Sequence, residues 1–352
     1  MSNLQEEKTE KIDIKSMYLD ELTDYVKAIG LPAFRAKQLF SWMHEKYVGD
    51  TDSMTNLTKD MREKIKEDGF VVLKEETRQV SKKDGTVKFL YKLHDGQMIE
   101  TVFMRYSYGN SICISSQAGC RMGCRFCAST IGGLVRNLSA SEMLEQVYAT
   151  MRLTGERISN IVIMGTGEPL DNYDNVIRFI RLITDEKGYN LSMRNITMST
   201  CGIVPKIDEL ADEKLAITLA ISLHAPNDEK RRSLMPIAEK YSIKEILDAC
   251  KRYFDITGRR ISFEYSLVKG QNDSKEDALE LAELLKGQNC HVNLIPVNSI
   301  EERNFEKGDN NSIQNFKLVL EKNSINVTIR RSVGSDIDAA CGQLRRKYSV
   351  NI

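Results

Sequence analysis

No apolar run in this 352-residue chain approaches the roughly 18–20 residues that span a bilayer, which excludes a membrane-crossing helix. The opening stretch MSNLQEEKTEKIDIK has mixed charge and no apolar core, so a secretory signal is not expected and a cytoplasmic protein is. Net charge is also missing: 50 basic residues face 50 acidic ones. Binding to nucleic acid by bulk charge is thereby excluded, and any such contact must come from local patches. Eight cysteines are too few to staple a chain of this size, which excludes a disulfide scaffold. Repeats and low-complexity tracts are absent. With 41% hydrophobic and 28% charged residues, the balance is that of an ordinary globular protein, not a collagen-like, coiled-coil or wholly disordered one.

Periodicity sets the organisation. Residues 1–15 read as a solvated leader, followed by amphipathic stretches near 16–29, 33–47 and 56–68, broken at Gly30-Leu31-Pro32 and Gly49-Asp50. Between Val71 and Tyr106 the pattern turns to short strands, with Lys83-Asp84-Gly85 and His94-Asp95-Gly96 as turns. From about 111 onward, seven apolar strands (112–116, 158–164, 194–199, 216–223, 261–267, 291–296 and 326–330) alternate with helices near 139–153, 173–186, 203–212, 242–255, 275–287 and 311–323. Ser139-Ala140-Ser141-Glu142 has the form of a capping box. Such alternation predicts right-handed βαβ units around a parallel sheet, a barrel or partial barrel with its site at the carboxyl ends of the strands. The expected organisation is a leader over 1–15, a mainly helical accessory domain with a small antiparallel β extension over 16–95, an α/β core over 96–345 and a tail over 346–352.

Cysteine placement carries the chemistry. None occurs in residues 1–112, and then four fall between 113 and 127. Cys120, Cys124 and Cys127 form C-x₃-C-x₂-C directly after the first core strand. Three thiolates on a short loop can ligate three irons of a [4Fe–4S] cluster and leave the fourth open. Zinc is the competing reading, but a closed structural zinc site needs four ligands, and His44, His94, His224 and His291 are scattered. One βα unit later comes Gly165-Thr166-Gly167-Glu168-Pro169-Leu170. Glycines there admit a close backbone approach, and the Glu168 carboxylate can accept from an ammonium.

The cysteine loop and this glycine stretch resemble the radical S-adenosylmethionine (SAM) superfamily, whose fold is a partial (β/α)₆ barrel. The resemblance narrows with Cys113-Ile114-Ser115-Ser116-Gln117-Ala118-Gly119-Cys120, Ile221-Ser222-Leu223-His224-Ala225-Pro226-Asn227-Asp228, Leu294-Ile295-Pro296-Val297-Asn298 and Asp336-Ile337-Asp338-Ala339-Ala340-Cys341-Gly342-Gln343-Leu344. Across essentially the whole chain these are similar to the RlmN/Cfr family of radical SAM RNA adenine methyltransferases. Glu168-Pro169 resembles the RlmN branch, since Cfr proteins read Glu-Ala there. Thr166 departs from the family's usual Met, and the backbone is expected to carry that contact.

The resemblance implies methylation of C2 of adenosine 2503 in 23S rRNA and adenosine 37 in some tRNAs. It implies one [4Fe–4S] cluster on Cys120, Cys124 and Cys127, two SAM molecules per turnover, and SAM contacts from Gly167, Glu168, Ser199, Ser222, Leu223, His224 and Asn298. It makes Cys341 the methyl carrier, Cys113 the residue that resolves an RNA–protein adduct through a disulfide with Cys341, and Glu100 a base. A flavodoxin or ferredoxin type electron donor and a monomer are expected. Read without the family, Cys113 and His224 would be core residues, Glu100 an ordinary strand-end glutamate, and Cys201, Cys250 and Cys290 core. For RNA, Arg121, Arg125 and Arg136 flank the cysteine loop, Arg330-Arg331 and Arg345-Arg346-Lys347 flank Cys341, and Lys82-Lys83 sit at a hairpin tip. Two alternatives stay open: Cfr-type methylation of C8, and a non-catalytic iron–sulfur RNA-binding protein.

Overall fold

The computed structural model describes residues 12–296, 308–331, 333–338 and 342–350, the side chains of 349 and 350 excepted. Packing divides the chain into two units. The first takes Met1–Leu73, Ser139–Gly155 and Ile177–Leu191; the second takes Lys74–Leu138, Glu156–Val176 and Ser192–Ile352.

The first unit is helical. It holds α1 (Leu19–Ala28), α2 (Phe34–Phe40, continued by a π turn Ser41–Glu45), α3 (Lys59–Gly69), α4 (Ala140–Thr154) and most of α5 (Tyr173–Ile183). The capping box read at the start of α4 is formed: Glu142 N–H donates to Ser139 Oγ at 3.3 Å, and Ser139 N–H to Glu142 Oε2 at 3.0 Å. Charge is buried here only in partnership. Lys15 and Glu145, both fully buried, pair at 2.6 Å, and Arg152 Nη2 reaches the other Glu145 oxygen at 2.7 Å. Beside them His44 Nδ1 lies 3.2 Å from the Tyr148 hydroxyl.

The second unit is built on one ten-stranded mixed sheet. Its first three strands, β1 (Lys74–Val80), β2 (Val87–Lys92) and β3 (Met98–Tyr106), are antiparallel neighbours, and β3 pairs antiparallel with β4 (Gly109–Ile114). From β4 the sheet is parallel through β7 (Asn160–Ile163), β8 (Ile196–Thr200), β9 (Thr218–Ser222), β10 (Ile261–Leu267), β11 (Cys290–Pro296) and β12 (Val327–Ile329). These are the seven strands expected from the apolar runs. Helices α6 (Val204–Asp212), α7 (Asp228–Leu234), α8 (Ile243–Thr257), α9 (Lys275–Leu284) and α10 (Asn310–Lys322) occupy the connections, and α11 (Gln343–Val350) ends the described chain. The strands β5 (Gln117–Gly119) and β6 (Leu134–Asn137) form a separate two-stranded ribbon.

Among the described residues the sheet stays open, because β3 occupies the edge of β4 that a closed barrel would need for β12. The expected antiparallel extension is therefore continuous with the core sheet. The chain itself spans the gap beyond β12. Gly334 N–H donates to Asp84 Oδ2 at 2.8 Å, Ser81 Oγ to Asp336 at 2.6 Å, and Asp338 N–H to Gln79 at 2.9 Å. The hairpin tip read as an RNA contact thus holds this returning segment; Lys83 Nζ bonds Ser335 Oγ at 3.1 Å.

Candidate active site

Strand ends and the loops after them enclose a cavity of about 670 Å³ in the second unit. Cys113, Cys120, Cys124, Cys127, Gly167, Glu168, Ser199, Ser222 and His224, scattered over more than a hundred positions, all line it. Leu223 and Glu100 do not, and Asn298 and Cys341 lie outside the described residues.

The cysteine loop hangs from the β5–β6 ribbon. Cys120 N–H donates to Gly133 O at 2.9 Å, closing the loop at its base. Gly119 has φ +86°, and a Cβ there would stand 2.1 Å from Gly133 O, so no side chain fits. Burial pushes the Cys120 thiol up to about 12 and raises Cys124 further, with the neighbouring thiols adding repulsion between thiolates. Cys120 and Cys124 thiols that resist ionisation alone, sharing one cavity wall with Cys127, suit a cationic iron–sulfur cluster that would hold the three as thiolates. Each thiolate of such a cluster takes a different iron, so its ligands need not converge on one point. Among the described residues, no three His, Cys, Asp or Glu side chains do.

Glu168 is aimed by the backbone. Its Oε2 accepts from Cys201 N–H at 2.8 Å and its Oε1 from Leu170 N–H at 3.0 Å, with Pro169 opening the 3₁₀ turn Pro169–Asn172. Burial nonetheless raises its carboxyl above the ordinary range, the N–H donors pulling the other way. A buried carboxylate so held is a seat for a cation such as an ammonium. The glycines before it also admit a close approach within the chain. A Cβ on Gly165 would meet Ile114 O at 2.6 Å, and one on Gly167 would meet Ser116 Oγ at 2.6 Å, so what they admit is the 114–117 segment. Thr166 between them uses its backbone: its carbonyl accepts from Ser116 and Gln117 N–H, and its N–H donates to Ser115 Oγ.

On the opposite wall, Ser199 and Ser222 hydroxyls lie 3.3 Å apart on β8 and β9. Leu223 is core: its N–H donates to Glu264 O and its carbonyl accepts from Arg231 Nε. His224 adopts φ +59°, held by Asn272 Nδ2 donating to its carbonyl at 2.6 Å. Ser266 N–H donates to His224 Nδ1 at 2.9 Å, which leaves the ring hydrogen on Nε2. Burial, then the charge of Arg231, lowers this imidazole to about 3, so it is a neutral donor at physiological pH.

Cys113 sits at the carboxyl end of β4, one residue before its last, opposite Val102 and in a small apolar cluster with Val102 and Met104. No described cysteine, Cys113 included, is in a disulfide, so the disulfide expected with Cys341 is not part of this structure. Of the arginines read as RNA contacts, Arg121 is paired with Asp171 and Arg136 with Asp95, while Arg330 and Arg331 line the cavity and are exposed. Cys250 and Cys290 are core, as expected. Cys201 is not merely core: it lines the cavity and its N–H aims Glu168.

Sequence reading missed Arg231 and Glu264 as well. Arg231 is fully buried and donates to the carbonyls of Cys201 (2.6 Å), Leu223 (3.3 Å) and Tyr241 (3.4 Å), tying the ends of β8 and β9 together. In sequence it belongs to the charged run Asp228–Arg232, which looks solvated. Glu264 gave a signal: one acid inside the otherwise apolar or neutral strand Ile261–Leu267.

A family model described as the radical SAM superfamily matches residues 114–284. Another, described as the ribosomal RNA large subunit methyltransferase N-terminal domain, matches residues 12–71. A Lachnoclostridium phytofermentans protein named probable dual-specificity RNA methyltransferase RlmN is 60% identical over 342 residues, covering 97% of this chain and 96% of its own. The chain belongs to the RlmN family. A Lachnospira eligens RlmN of the same description is 61% identical, with 97% of each chain covered. A crystal structure of a radical SAM methyltransferase from Sphaerobacter thermophilus superposes with a TM-score of 0.91 at 44% identity, over 94% of this chain and 98% of that one. The chain is thus a radical SAM methyltransferase, and RlmN membership implies SAM and a [4Fe–4S] cluster. No helix among the described residues is long and apolar enough to cross a membrane.

Proposed function

We propose that this chain methylates C2 of an adenosine in RNA, adenosine 2503 of 23S rRNA and adenosine 37 of some tRNAs. The observation that carries the reading is one cavity lined at once by three loop thiols, a backbone-aimed Glu168 and the separate thiol Cys113. Adenine C2 carries an unactivated C–H, so direct displacement of the SAM methyl group fails there. When bound, the cluster and SAM supply a 5′-deoxyadenosyl radical.

The chain's residues do the rest. Cys120, Cys124 and Cys127 hold the cluster, Glu168 takes the ammonium of SAM, and Ser199, Ser222 and the His224 Nε2–H, with Asn298, hold its polar groups. Cys341 carries the methyl group that is added to C2, and Cys113 attacks the Cys341 sulfur to release the modified RNA. Two SAM are used per product, one for the methyl group and one for the radical. Glu100 takes part in proton transfer. The target base is unstacked before it enters, and the N-terminal helices read the shape of the RNA. A flavodoxin or ferredoxin type donor supplies the electron to a monomeric, cytoplasmic enzyme.

Nucleoside mass spectrometry of rRNA and tRNA from cells lacking the gene tests this. Loss of 2-methyladenosine, restored by the gene, is expected; 8-methyladenosine in its place would assign C8 chemistry. Reduced protein that forms no 5′-deoxyadenosine from SAM would reject a radical enzyme altogether.

A further inference from the structure

Glu264 sits on β10, level with Ser222 of β9 and Asn293 of β11. Its side chain is 3% exposed, yet it lines the cavity. Asn293 Nδ2 donates to Oε1 at 2.8 Å, while Oε2 is buried with no hydrogen-bond partner among the described residues. Leaving a buried carboxyl oxygen unmatched is costly, so a donor is expected from whatever fills the cavity.

The surroundings specify that donor. Arg330 acts on Glu264 through its charge, and its Nη1 lies 2.9 Å from Met164 Sδ. Met164 and Val333 pack against Val102, Met104 and Cys113, which all line the same cavity. The cavity wall thus joins apolar and thioether side chains around Cys113 with the buried Glu264 carboxylate, linked to them through Arg330. A planar heterocycle with an exocyclic amine matches it, its faces against the apolar side chains and its edge read by hydrogen bonding.

We propose that Glu264 is the residue that reads the exocyclic N6 amine of the target adenine, with Oε2 accepting its hydrogen bond. This rests on the RNA methyltransferase reading above. It adds a specificity residue outside the set that the family resemblance supplies, and it explains why a strand of buried residues keeps one carboxyl. Burial raises that carboxyl, and Arg330 with Asn293 draws it back down.

The test compares an RNA stem-loop carrying the target adenosine with one carrying purine riboside, which lacks only the amine. The wild-type holoenzyme should prefer adenosine by roughly ten- to a hundredfold in kcat/KM, the range for a hydrogen bond to a charged group. Glu264→Gln keeps the shape and, with Asn293 still bonded to the oxygen, turns an amide NH₂ toward the base. Its preference should collapse toward unity, with SAM affinity by equilibrium dialysis and the iron–sulfur absorbance unchanged. Equal use of both RNAs by the wild type, or a preference retained in Glu264→Gln, would overturn the assignment. So would a loss of SAM affinity in the variant, which places Glu264 with the adenosine of SAM. A wild-type enzyme that methylates neither RNA would instead sink the underlying function.

Discussion

Lys88 Nζ stands 2.9 Å from Glu100 Oε2 with both side chains buried, and each partner grips a different part of the C-terminal segment. Lys88 donates to Asp338 O at 2.6 Å, before residue 341. Glu100 accepts from Gly342 N–H at 2.5 Å and from Arg345 N–H at 2.7 Å, after it. Glu100 thereby caps the start of α11, a favourable place for a carboxylate. Two of these donors meet at Oε2 and one at Oε1.

Removing Lys88 alone strands a buried carboxylate, so Lys88→Met should lose about 3–5 kcal/mol of stability. Adding Glu100→Gln removes the charge while keeping an acceptor for α11, and should recover most of that loss. Urea midpoints compare the two. A double variant as weak as the single one would show that charge is not the cause.

Alanine at Cys120, Cys124 or Cys127 should abolish iron retention and SAM cleavage together, since two thiolates cannot keep a site-differentiated cluster. Cys201→Ala, although it opens the same cavity, should keep its iron. Metal analysis of the purified variants decides; iron lost only from Cys201→Ala would reverse the ligand assignment.

Glu168→Gln should weaken SAM binding by about 1.5–3 kcal/mol, the range for a charge-assisted hydrogen bond, with iron content intact. The single amide oxygen can accept from only one of the Leu170 and Cys201 N–H groups, so the charge and one backbone contact are lost together. Unchanged affinity would remove Glu168 from the ammonium site.

Cys113 and Cys341, given different roles in the proposed reaction, should fail differently. Cys341→Ala is expected to bind SAM and RNA without ever forming an adduct, whereas Cys113→Ala should stall as a covalent RNA–protein species. Denaturing gels after incubation with RNA separate the cases, and a crosslink in Cys341→Ala would show the roles are reversed.

His44 gives a pH signature. Burial, helped by Lys15, lowers its imidazole to about 3. The unfolded chain takes up that proton near pH 6.5. Between those values the unfolded state binds one more proton, so stability falls as pH falls, by about 1.4 kcal/mol per unit. His44→Phe should lose about 2 kcal/mol less than wild type between pH 6.5 and 5. Parallel stability curves for the two proteins would contradict it.

Much of this architecture was legible because it is local. Period, caps and apolar runs located seven parallel strands and six of the seven helices between them, α7 excepted, and Ser139 with Glu142 marked the start of α4 to the residue. The cysteine triad was legible for the same reason, its members lying within eight positions of one another, and Glu168 was marked by the glycines directly before it. What escaped depends on contacts that sequence spacing cannot show. Arg231 looks solvated until the ends of β8 and β9 present it with carbonyls. Proximity of Cys113 to the C-terminal segment was expected from barrel closure. The open sheet achieves it differently, through a returning segment bound to the β1–β2 hairpin and to Glu100.

The ribbon of β5 and β6 bears on the protein's biogenesis. Its two strands clasp both ends of the cysteine loop through backbone hydrogen bonds, and at Gly119 the clasp is too tight for even a methyl group. None of these bonds involves a thiol. Formation of the ribbon is therefore a matter of backbone pairing and of glycine at position 119, and alanine at Cys120, Cys124 or Cys127 leaves every one of these bonds available.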